Sequence, residues 1–160
     1  MKRRIGAAVT AVAVVAGVGV ANAEPVAPQA GSSCAASVAD AFTQLPDGTT
    51  FLACQGVSGD YRWRQVSTPF DPSDRWLSYG PGLTLHGQGR RNPEVLSGQW
   101  TATPQDSASA CSVEQAPVTD AGVAPPQTTV GKPGQALHFE VVPVVFSIVL
   151  GGDCLWERVN

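Results

Sequence analysis

Four cysteines, Cys34, Cys54, Cys111 and Cys154, constrain this chain more than any other feature. Their meaning depends on compartment, and the N-terminus speaks to that. Met1-Lys2-Arg3-Arg4 is a positive start, Ile5–Val20 is an uncharged apolar run, and Ala21-Asn22-Ala23 is a small-residue cleavage site. That three-part order predicts a secretory signal peptide over 1–23. The apolar run is shorter than the roughly 20 residues that cross a bilayer, so no membrane span is expected after cleavage. An even number of cysteines in an exported chain reads as two disulfides, with three possible connectivities.

Local patterning favours one of the three. Ser33 suits an N-cap, and Cys34, Val38, Phe42 and Leu45 recur at helical spacing until Pro46-Asp47-Gly48 turns the chain. The predicted helix over 34–45 would rise ~17 Å. A strand from Thr49 to Cys54 covers the same ~17 Å in the return direction and brings Cys54 beside Cys34. The expected bonds are therefore Cys34–Cys54 and Cys111–Cys154.

Beyond that helix the period changes. TTFLAC and YRWRQV predict a hairpin, STPFDPSD a loop, and LTLH and QWTAT two further strands; CSVEQAPV and Gln127–Val130 are weaker strand candidates. ALHFEVV alternates, PVVFSIVL is nearly continuous in apolar residues, and CLWERV returns after Gly151-Gly152-Asp153. The fold expected is mainly β, a small β-sandwich with one N-terminal α-helix. Residues 24–33 are expected as a disordered lead-in and 34–160 as a single disulfide-stabilised domain.

Charge removes one class of function. Of 10 Lys and Arg, three lie in residues 1–23, so the mature part holds seven against 13 Asp and Glu, a net charge of −6. Such a chain lacks the basic footprint that nucleic acid requires. No H-E-x-x-H, zinc-ligand cluster, nucleophile elbow or phosphate-binding glycine loop is present, and no metal or cofactor is implied. Asp71 and Asp74 are too few for a calcium site and suit a turn. His138 and Glu140 share the polar side of a strand. Trp63 and Trp100 fall at core spacing, whereas Trp76 follows a polar loop and is the tryptophan expected at the surface, as a ligand contact.

The stretch HGQGRRNPE, 86–94, gathers the remaining candidates. Asn92 as N-cap, Pro93 and a stop at Gly98 predict a single helical turn over NPEVLSG, with Glu94 near its positive end. His86 and Glu94 are the candidate catalytic pair. Arg90 and Arg91 are candidate contacts for an anionic or acidic partner, since guanidinium groups grip carboxylates and phosphates; a plain ion pair with Asp71 or Asp74 is the structural alternative.

The Ala/Val-rich leader, scarce lysines, four cysteines and compact length resemble the small exported proteins of actinobacteria, mycobacterial in type. The resemblance implies an extracytoplasmic location, secreted or at the cell envelope, and carries over no residue roles. The leading expectation is a non-enzymatic binding protein that contacts an envelope or host component through 86–94. The alternatives are an extracytoplasmic hydrolase using His86 with Glu94 or Asp74, and a structural envelope protein or inhibitor.

Overall fold

The computed structural model describes residues 26–80 and 82–159. The expected signal peptide over 1–23 lies outside the described residues. Twelve strands follow one 3₁₀ turn at Ala36–Val38: β1 Phe42–Gln44, β2 Phe51–Val57, β3 Asp60–Val66, β4 Arg75–Ser78, β5 Leu83–His86, β6 Gly98–Pro104, β7 Ser112–Thr119, β8 Gly122–Val123, β9 Gln127–Val130, β10 Leu137–Val141, β11 Val145–Gly151 and β12 Cys154–Arg158. They form a seven-stranded sheet in the order β10-β6-β12-β4-β1-β2-β3 and a five-stranded one built on β5-β11-β7-β8, with β9 also paired to β7.

Alternation explains most of these elements. In β10, Leu137, Phe139 and Val141 are buried while His138 and Glu140 face out. One buried cluster takes Trp76, Trp100, Phe139 and Trp156 from the larger sheet and Leu85, Val113, Ile148 and Leu150 from the smaller. Within it the Trp156 indole donates to Ser78 Oγ at 2.8 Å, and Ser78 donates onward to the Gly152 carbonyl, so that indole is buried with its donor satisfied. Cys111, just ahead of β7, bonds Cys154 at the start of β12 and joins the two sheets.

No α-helix occupies 34–45, which corrects the sequence reading. Of the residues at helical spacing, Val38 falls in the 3₁₀ turn and Phe42 in β1 instead. The physical reason is non-local. The Arg75 guanidinium takes the carbonyls of Ser37 and Ala39, and β1 gains a partner on either side, β2 antiparallel and β4 parallel. A helix this short has little stability of its own to set against those contacts. Cys34 still bonds Cys54, over a second, smaller cluster of Val38, Ala41, Leu52, Trp63 and Leu155. The expected disordered lead-in also differs over its described part. Gly31 donates to the Trp63 carbonyl, Trp63 to that of Ser32, and Ser33 bridges Arg62, so this segment lines the edge of β3.

The larger sheet extends past the smaller. Phe51 pairs with Val66, Ala53 with Arg64 and Gln55 with Arg62, so these residues share the face that carries Phe51 into the core. Arg62 and Arg64 are nevertheless exposed, so the five-stranded sheet stops short of them. The border between covered and uncovered face lies near β5, an edge strand of the smaller sheet.

Candidate functional site

Strand β5 is bounded on one side by β11 and on the other by side chains. Leu83 and Leu85 are buried, while Thr84 and His86 turn their backbone groups away from the ladder. The Gln44 side-chain amide answers Thr84 on both counts: Thr84 N donates to Gln44 Oε1 at 3.1 Å, and Gln44 Nε2 donates to the Thr84 carbonyl at 3.2 Å. Glu94 does the same at His86. Its Oε2 accepts the His86 N–H at 2.8 Å, and its own N–H donates to the His86 carbonyl at 2.8 Å. The Gln44 side chain, together with the side chain and main chain of Glu94, thus stands in for a neighbouring strand.

That arrangement places Glu94 against the His86 ring. Nδ1 lies 3.7 Å from Oε2, beyond hydrogen-bond length, with the two side chains 33% and 14% exposed. Together they wall a cavity of about 360 Å³ whose lining also includes Thr49, Phe51, Phe70 and Asn92. Phe70 follows the cis Thr68-Pro69 bond and packs 5.0 Å from Phe51 and 5.2 Å from Phe42, with Trp76 behind at 6.2 Å. A second hollow of about 390 Å³ meets the first at Gly48 and His86 and is lined in part by Gln44, Tyr79 and Thr84. Burial, and after it the negative charge of Asp47, raises the Tyr79 pKa above the ordinary phenol value.

Both hollows depend on the turn 46–50. Asp47 holds it: its carboxylate accepts the N–H groups of Thr49 and Thr50 at 2.8 Å and the Thr50 hydroxyl at 2.6 Å. Those bonds, the Thr50 hydroxyl first, lower the Asp47 pKa from 3.8 to about 2. A carboxyl depressed in the folded state stabilises it above the unfolded value and loses that contribution as pH falls through the folded one. The turn should therefore loosen between pH 3.8 and about 2. The carboxyl-carbon shift of Asp47 should titrate with a midpoint near 2, and a midpoint at the ordinary aspartate value would refute the arrangement.

Of the residues singled out from sequence, His86 and Glu94 meet at this cavity, and Asp74 lines neither hollow. Trp76 is fully buried, which corrects its expected place at the surface: β4 runs between β12 and β1 in the interior of the larger sheet. Arg90 and Arg91 line neither hollow and make no ion pair among the described residues, so the alternative of a bond to Asp71 or Asp74 is also set aside. Arg90 stacks over the Phe146 ring at 5.2 Å, and Arg91 is exposed. The single helical turn over NPEVLSG does not form. Asn92 adopts φ 54°, and the N–H groups of Glu94 and Val95 both turn back to the His86 carbonyl. His138 faces Thr101 on the neighbouring strand at 2.9 Å.

The residues that sequence reasoning missed are Thr49, Phe51 and Phe70. Each stood in a segment read for another purpose, and only packing between strand, loop and sheet edge brings them to His86. Among the described residues no group of three or more His, Cys, Asp or Glu could hold a metal ion. No helix there is long and apolar enough to cross a membrane. No protein-family model matches the chain, and neither does any curated protein or solved structure.

Proposed function

We propose that this chain is a non-enzymatic extracytoplasmic binding protein, secreted or held at the cell envelope, that takes a small ligand into the cavity walled by 86–94. The observation that carries this reading is the convergence of Thr49, His86, Asn92 and Glu94 around an aromatic wall in about 360 Å³. That size and lining suit ligand recognition. In this reading the segment acts through His86, Asn92 and Glu94. An anionic envelope or host component would instead meet Arg91, because the cavity lining holds no lysine or arginine. Amide shifts on titration with small anionic, neutral and cationic molecules test the proposal. Movement concentrated at Thr49, Phe70, His86 and Asn92 is expected, and a set of probes that leaves all four in place would overturn it.

The second reading, an extracytoplasmic hydrolase, is favoured by the 3.7 Å approach of His86 to Glu94 beside a cavity. Against it, Glu94 Oε2 is engaged by a backbone amide, and the His86 ring has no hydroxyl or thiol partner to activate among the described residues. Turnover of simple esters that is abolished by His86→Ala would make this reading the better one.

A further inference from the structure

The charge inside the cavity rests on Glu94. It is the one carboxylate in the lining, and no lysine or arginine accompanies it there. An adjoining hollow of about 480 Å³, sharing Phe70 and Asn92, brings in Asp71 and again no base. Among the described residues the sole ionic neighbour of Glu94 is the His86 ring, at a distance too long for a hydrogen bond. Oε2 is already satisfied by the His86 N–H, while Oε1 accepts no hydrogen bond there.

These facts select a ligand by sign. An anion in this space would face a carboxylate with no lysine or arginine beside it. A neutral molecule that covered Glu94 would strip water from an ionised oxygen and return no charge for it, which is costly. A cation escapes both penalties, and an aromatic ring beside it adds a further attraction. The half-buried Phe70 supplies that ring, and the oxygens of Thr49 and Asn92 can accept from N–H donors.

Resting on the small-ligand reading above, we infer that the cavity recognises an organic ammonium ion, with Glu94 as counter-charge and Phe70 as its aromatic neighbour.

The test uses matched probes on the folded protein at one fixed pH near neutrality. Butylammonium, butanol and butyrate share a skeleton and differ in charge; choline adds a cation without N–H donors. Butylammonium and choline should bind about tenfold more tightly than butanol, and butyrate more weakly still, with shifts at Phe70 and Asn92. Glu94→Gln keeps an oxygen for the His86 N–H and removes the charge, so it should cut that tenfold preference to the few-fold that Phe70 supplies. Retention of the full preference in Glu94→Gln would overturn the assignment. So would butanol or butyrate binding as tightly as butylammonium at these residues, an outcome that leaves a small-ligand site of another class. No shift at the cavity with any of the four probes would remove both readings. Should Glu94→Gln fail to fold, Phe70→Leu serves, and it must weaken choline several-fold more than butanol.

Discussion

Replacing Cys111 and Cys154 together by alanine should lower folding stability by about 4 kcal/mol, against about 3 kcal/mol for the Cys34 and Cys54 pair. The difference comes from loop length, since the bonds close sequence separations of 43 and 20 residues. Chain-entropy arguments make the longer closure the larger constraint on the unfolded state. Position adds to it. Cys111 and Cys154 are fully buried in the main cluster, so their removal also leaves unfilled space between the two sheets. The Cys34 bond serves the smaller cluster on the other face. Urea unfolding of the two double variants measures both losses. A smaller loss for the Cys111 and Cys154 pair would show that loop closure does not govern the ranking.

Gly87→Ala should cost about 3 kcal/mol, a large effect for one added methyl group. A Cβ at Gly87 would run into the Val145 side chain and carbonyl oxygen, and Val145 is fully buried. The backbone is held at that approach, because Gly87 donates to the Phe146 carbonyl at 3.2 Å and Gly89 to that of Val145 at 2.8 Å. Little can give way, and relief must come from lifting 86–94 away from β11. Binding of the proposed ligand should fall with stability, since His86 and Glu94 move together. Arg91→Ala, at an exposed site, is the control and should change stability by less than about 0.5 kcal/mol. An unfolding midpoint for Gly87→Ala equal to that of the control would mean that the segment is not packed on β11 as described.

The two glycines also show which parts of the molecule could be read from sequence. Nothing in the local pattern of HGQGRRNPE gives them a duty, because their duty is to another strand: Gly87 and Gly89 allow the loop to lie against Val144 and Val145. Strands whose burial alternates within the strand itself were legible. LTLH and ALHFEVV correspond to β5 and β10, which bury alternate residues. The helix expected over 34–45 was not legible as β1, because the deciding contacts come from Arg75 and from β2 and β4. Trp76 was misplaced for the same reason. A polar loop before it suggested the surface, and only the sheet order puts β4 in the interior. His86 and Glu94 could be paired from sequence, being eight residues apart in one loop. Phe51 and Phe70 could not, since nothing local ties either to β5.

The side chains that close the outer rim of β5 have a consequence for behaviour at high concentration. An open strand rim invites a second molecule to add its own strand, and from there assembly can run on without limit. At Thr84 and His86 the donors such a strand would need are already taken, by Gln44 and Glu94. Loss of Glu94 would therefore do more than empty a cavity of its charge. It would free the His86 N–H as a donor on that rim, while Gln44 still holds Thr84. A greater tendency of Glu94→Ala than of the unaltered protein to self-associate at high concentration is the expected result.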